Sequence, residues 1–211
     1  MVSEPRVTLP DRLYGGYIFD LDGTLVDSMP THYRAWRMAL HNNGAPHEAF
    51  LWPEFTAHGG MAAPDIVADL NAVYGLHMDP EGTADEKRAL YAQLLISEHL
   101  PVIEETVALV RRLHERGIPY AIGTGSMPSG AGKTLRSAGL GKLFPVIVTP
   151  ADVPPGRGKP NPDIFLLCAE RMGVTPDSCI VFEDAEPGIQ AARAAGMDTC
   201  RVGPCPRPEK D

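Results

Sequence analysis

Asp20 and Asp22 stand two residues apart at the end of an apolar run, Tyr17-Ile18-Phe19, and Gly23-Thr24 follows at once. On an extended segment, residues two apart point to one side, so both carboxylates can flank one reacting atom as the strand curls. Folding has no use for two acids there, because like charges that close repel and raise each other's pKa. A carboxylate nucleophile can form an acyl phosphate, which splits one hard displacement into two easier ones. Three later stretches end on polar groups: Tyr120-Ala121-Ile122 on Gly123-Thr124-Gly125-Ser126, a proline- and glycine-rich loop on Lys159, and Cys179-Ile180-Val181-Phe182 on Glu183-Asp184. A lysine and hydroxyls suit the spread negative charge of a transferring phosphoryl group. Asp20 and Asp184 make a hard, oxygen-rich site suited to Mg²⁺. Asp22 is then free to protonate a leaving oxygen and later to deprotonate a water. His32, four residues before Trp36, lies just beyond the acidic strand end.

These groups need elements to hold them. After the first strand, Asp27 or Ser28 is placed to cap a helix that admits Pro30 in its first turn and ends at Asn42-Asn43-Gly44. From there to about residue 100 no strand pattern occurs. Asp65 to Tyr74 reads as a helix closed by Gly75, and Ala84 to Leu95 as another reaching toward His99. Residues 29–100 are therefore expected to form a helical insertion, with 1–28 and 101–211 forming the other domain. From Pro101 strand and helix alternate: a helix from Glu104, the strand at Tyr120, a helix around Lys133 to Ala138, and a strand at Val146-Ile147-Val148. Then come a helix capped by Asn161 with Pro162 at its first position, the strand ending at Glu183, a helix from about Pro187, and a last strand at Thr199 to Val202. Alternation of this kind predicts an α/β fold with a Rossmann-like parallel sheet covered on both faces. In such sheets chemistry gathers outside the carboxyl ends of the strands, which is where each polar cluster falls.

Composition excludes several classes. A formal charge of -8 does not favour nucleic acid or an anionic membrane, so an anionic substrate needs a local cation. The cysteines, Cys168, Cys179, Cys200 and Cys205, form no C-x-x-C, and no signal peptide precedes them, which predicts reduced thiols and a cytoplasmic protein. The longest apolar runs have strand length, too short to span a bilayer. The histidines show no paired spacing suited to zinc. Ser129-Gly130-Ala131-Gly132-Lys133-Thr134 looks like the end of a phosphate-binding loop of nucleotide kinases. Its full pattern requires glycine where Met127 stands, Pro128 removes a backbone N–H, and that reading leaves the acids at Asp20 and Asp22 without a purpose.

The ordered set Asp20-Leu21-Asp22-Gly23-Thr24, Thr124, Lys159-Pro160 and Glu183-Asp184 resembles the four motifs of the haloacid dehalogenase-like hydrolases. Thr31-His32-Tyr33-Arg34-Ala35-Trp36, Lys159-Pro160-Asn161-Pro162-Asp163 and Phe182 to Ala192 are similar to the β-phosphoglucomutase-like subfamily, and Phe165 to Val174 to its bacterial fructose-1-phosphate phosphatases. The resemblance implies Asp20 as nucleophile, Asp22 as acid/base, and Thr124 and Lys159 as holders of the phosphoryl group. It implies Mg²⁺ on Asp20, Asp184 and the backbone carbonyl of Asp22, with Glu183 nearby. Gly23, Thr24, His32, Gly125, Ser126 and Lys87 would border the substrate, under a helical cap. The implied partner is a small phosphorylated metabolite, a sugar monophosphate of the fructose 1-phosphate kind. A monomer is expected, with a dimer left open. The alternative is a sugar phosphomutase. In β-phosphoglucomutases a cap arginine holds the second phosphate, and the matching stretch here, His58 to Asp65, contains no arginine or lysine.

Overall fold

Gly16–Phe19 (β1), Tyr120–Gly123 (β2), Ile147–Val148 (β3), Cys179–Glu183 (β4) and Asp198–Arg201 (β5) pair as one parallel sheet in the order β3-β2-β1-β4-β5. This is a computed structural model, and it describes residues 7–8, 12–59 and 61–203. The expected lead-in over residues 1–13, Cys205 and the proline-rich tail fall wholly or partly outside that range. The acid-bearing strand β1 takes the centre because every residue of its GYIF run is buried, as a strand covered on both faces requires. Its side chains alternate. Tyr17 and Phe19 join Tyr120, Ile122, Ile180 and Phe182 in one core against Glu104–Glu115 (α5) and Pro128–Ser137 (α6). Ile18, Ala121 and Val181 join the other, under Asp163–Met172 (α7) and Glu186–Ala194 (α8).

Between β1 and α5 the described elements are helices: Met29–Asn42 (α1), Trp52–Ala57 (α2), Ala63–Tyr74 (α3) and Pro80–Ser97 (α4). They enclose an apolar cluster of their own, with Tyr33, Trp36, Phe50, Trp52, Phe55 and Leu70 at its centre. The chain leaves the sheet and returns to it through one paired stem. Asp27 donates its N–H to the Pro101 carbonyl at 2.9 Å, and Val26 bridges Val102 antiparallel. Among the described residues no helix is long and apolar enough to cross a membrane.

Several expected boundaries move, each for a local reason. Ser28 occupies the N-cap position of α1, yet its side chain caps nothing. Its hydroxyl donates to Asp22 Oδ1 at 2.6 Å instead, and a hydrogen bond to a charge, worth about 1.5–3 kcal/mol, exceeds a cap worth about 1 kcal/mol. Asn161 does not cap α7, whose N-cap is Pro162. The Asn161 amide braces the preceding loop through the Gly156 and Gly158 carbonyls. Helix α6 begins five residues earlier than expected, at Pro128, so Gly132-Lys133-Thr134 lies inside a helix and cannot form a phosphate loop. The short α2 carries no periodic signal, and β5 starts and ends one residue early.

Candidate active site

The ladder carries the acids to adjacent points. Asp20 continues β1 by donating its N–H to Phe182 at 2.9 Å, and Thr124 continues β2 through Val148 at 3.0 Å. The turn after Asp20 closes with Gly23 N–H on the Val26 carbonyl at 2.8 Å. Gly23 has φ +90°, and a Cβ there would lie 2.3 Å from Asp184 Oδ2. That position therefore needs glycine twice over, for its backbone and for the acid beside it.

Lys159 joins the strand ends. Its ammonium donates to Asp20 Oδ1 at 2.6 Å and to Glu183 Oε1 at 2.7 Å, with its side chain 5% exposed. The Phe165 ring lies 4.8 Å below it. Glu183 is tied from its other oxygen by the Ala185 N–H at 2.8 Å. It has room only because residue 188 is glycine: a Cβ at Gly188 would sit 1.7 Å from Glu183 Oε1. Asp184 accepts from Thr24 Oγ1 at 3.2 Å. Burying so many charges stabilises a fold weakly at best, so the cluster calls for a functional reason. Arg157, a competing cation in the same loop, is held by Asp163 with Nη2 at 2.9 Å from Oδ2 and takes no part.

Asp20, Glu183 and Asp184 each offer a carboxylate oxygen within 4.8 Å of the others. One ammonium against three carboxylates leaves negative charge uncompensated. Burial first, and then the neighbouring acids, push the Asp20 carboxyl up despite Lys159. Burial and Glu183 raise Asp184 to about 7. Lys159 goes up as well, since Asp20 and Glu183 outweigh its burial. A hard donor set short of positive charge fits a divalent cation such as Mg²⁺.

Asp22 belongs to a second cluster. Its Oδ1 accepts from Ser28, and Oδ2 accepts from Ser126 Oγ at 2.6 Å. His32 Nε2 stands 3.3 Å from Oδ1. Burial raises the Asp22 carboxyl, but His32, Ser126 and Ser28 together outweigh it and hold it well below the usual range. Among the sequence-named ligands, Asp22 thus has its carboxylate outside the acid cluster, engaged elsewhere, which leaves its main-chain carbonyl as a donor. His32 is held in turn by Lys87 Nζ, 3.0 Å from Nδ1. Burial lowers the lysine to about 8. Lys87 is therefore no ordinary surface charge, whereas its neighbour Arg88 pairs with Asp85 at the surface. Thr124 Oγ1 accepts the Ser126 N–H at 3.0 Å, and Gly125 between them is exposed.

Every residue singled out by sequence thus lies at or beside these two clusters. Sequence reasoning missed the roles of Ser28, Gly188 and Tyr91. The Tyr91 ring stacks on His32 at 3.8 Å and 10°. Its one legible signal was the four-residue spacing from Lys87, which puts both on one helix face.

Paired acids beyond the central strand of a parallel sheet, a lysine between the strands and helices inserted after β1 define a hydrolase class. The chain belongs to the haloacid dehalogenase-like hydrolases, whose family model matches residues 14–196. It is 40% identical over 191 residues to the fructose-1-phosphate phosphatase YqaB of Escherichia coli, covering 90% of this chain and 96% of that one. It is 36% identical over 189 residues to hexitol phosphatase A of the same organism, covering 89% and 82%. Among solved structures, a β-phosphoglucomutase from Clostridium difficile superposes with a TM-score of 0.72 at 26% identity, covering 89% and 83%.

Proposed function

We propose that the protein is an Mg²⁺-dependent phosphatase of small sugar monophosphates, of the fructose 1-phosphate kind, working through an aspartyl phosphate on Asp20. The observation that carries this is the Lys159 ammonium bridging Asp20 and Glu183 beside Asp184. Asp20, Asp184 and the Asp22 carbonyl would hold the metal, with Glu183 supporting. Bound there, Mg²⁺ supplies the positive charge that lets an anionic carboxylate meet an anionic phosphate.

An Asp20 oxygen attacks phosphorus while the bond from phosphorus to the sugar oxygen breaks. Asp22 gives a proton to that leaving oxygen. It then takes one from a water that attacks the same phosphorus, releasing phosphate and restoring the Asp20 carboxylate. Ser28, His32 and Ser126 hold Asp22 ionised, the form the second step uses. The serine hydroxyls can equally accept, so a protonated Asp22 keeps partners in the first step. Lys159 and Thr124 hold the phosphoryl oxygens, and Gly23, Thr24, Gly125, Ser126, His32 and Lys87 border the substrate. Residues 29–100 act as the cap that excludes water until the intermediate has formed.

The similarity to a β-phosphoglucomutase raises the mutase reading, which needs a clamp for a second phosphate. His58, the one basic side chain from His58 to Asp65, is engaged by Asp69 at 2.8 Å and by the Glu54 carbonyl at 2.8 Å. Hydrolysis is therefore favoured. The test is phosphate release from a panel of sugar phosphates with Mg²⁺, alongside β-glucose 1-phosphate with catalytic glucose 1,6-bisphosphate. Release from fructose 1-phosphate that stops in chelator is expected. Glucose 6-phosphate appearing faster than free phosphate would overturn the reading.

A further inference from the structure

Helix α4 presents Lys87 and Tyr91 one turn apart, and both converge on His32. The ammonium donates to Nδ1, so the imidazole carries its proton on Nε2, the atom facing Asp22. The Tyr91 ring lies parallel to the imidazole at 3.8 Å and is 4% exposed. Its phenol stands beside Ser28, whose hydroxyl donates to Asp22 Oδ1. It shares a hydrogen bond of 2.8 Å with Thr134, which is 1% exposed and sits on α6. That helix opens just after Ser126, the residue on the other oxygen of Asp22. The two sides of the Asp22 carboxylate are thus referred to one rigid element, α6, directly through Ser126 and indirectly through Thr134, Tyr91 and His32.

We infer that Tyr91 is a positioning residue for the acid/base Asp22: its ring sets the plane of His32, and its phenol fixes that plane to α6. The inference rests on the acid/base role proposed above. A ring free to tilt loses alignment of Nε2–H with the carboxylate, and misplacement of even about 1 Å lowers rates steeply. Read as kcat/KM, which on a covalent route reports formation of the aspartyl phosphate and not its hydrolysis, the loss falls on proton transfer to the leaving oxygen and spares attack by Asp20. It therefore depends on how much help the leaving group needs.

The experiment compares wild type, Tyr91→Phe, Tyr91→Leu and Asp22→Asn on fructose 1-phosphate and on 4-nitrophenyl phosphate, whose leaving group needs little protonation. With Tyr91→Leu, kcat/KM on the sugar phosphate should fall about tenfold, short of the ~10²–10⁴-fold of losing the acid/base outright. On the aryl phosphate it should fall less than about twofold. Tyr91→Phe, which keeps the stacking ring, should recover most of the loss. If Tyr91→Leu does not fold, Tyr91→Phe combined with Thr134→Val keeps the packing and removes the anchor. It should show the same asymmetry between substrates at smaller size. Equal losses on both substrates, or none, overturn the inference while Asp22→Asn remains asymmetric. An Asp22→Asn enzyme slowed equally on both substrates removes the acid/base reading, and this inference with it.

Discussion

The two halves of the site are built on different plans. Around Asp20, every partner comes from the parallel-sheet core, and the links are short contacts between full charges. Around Asp22, the links cross from the core to α1 and α4 and consist of hydroxyls, an imidazole whose basicity burial lowers, and a ring stack. Charges locked between strands would keep Asp20, the proposed nucleophile, aimed. A chain of weaker contacts reaching into an inserted helical layer can rearrange as that layer moves. On the proposed roles, bond making and proton transfer then fall to parts held in different ways.

The sharpest way to break this division is Asp20→Asn. It should lower turnover about 10⁴-fold or more, the scale of losing a nucleophile, with thermal unfolding near wild type. Turnover close to wild type in that variant refutes the covalent route. Asp22→Asn comes next, lowering kcat/KM on sugar phosphates by ~10²–10⁴-fold and on aryl phosphates less, as steady-state kinetics on both will record. Gly188→Ala tests the sheet-end half without touching a reacting group. The new methyl must displace Glu183, so the Mg²⁺ concentration for half activation should rise about 10–100-fold, as outer-shell changes do.

The smallest effect belongs to the helical layer. Burial lowers the His58 pKa, but hydrogen bonds to Asp69 and Glu54 outweigh it and raise the folded value. A raised histidine pKa adds stability that is full below the unfolded value, about 6.5, and is lost as pH climbs through the folded value. Asp69 is 48% exposed, so solvent screening keeps the contribution below about 1 kcal/mol. Melting curves of Asp69→Asn should fall behind wild type at pH 5.5 and converge with it at pH 8. Sugar-phosphate turnover should be unchanged at either pH.

The same division sets what was legible in the chain. Asp20, Thr124, Lys159, Glu183 and Asp184 stand at the ends of short apolar runs, and a strand end fixes where such a residue goes. The fold class was legible for the same reason, because alternation from Pro101 onward leaves little choice of topology. The second cluster was legible only in part. His32 and Lys87 are separated by 55 positions, and their meeting depends on how α1 packs on α4, which no local pattern encodes. Ser28 looked like a cap because local propensity favours that role; a tertiary contact of higher energy took it. Tyr91 carried no sign of a role beyond its spacing from Lys87; it is buried, with its ring stacked on His32.

The stem at Asp27 and Pro101 has a meaning for descent. Departure and return of the chain are one hydrogen bond of 2.9 Å apart, so the sheet feels the intervening seventy-odd residues as little more than a loop whose ends touch. Loop-closure entropy grows only with the logarithm of length, so trading one set of helices for a longer or shorter set costs the sheet almost nothing. A lineage carrying such a junction can keep its reaction constant while recombination and insertion rewrite what stands above it, and new substrate preferences arise without re-evolving the catalyst.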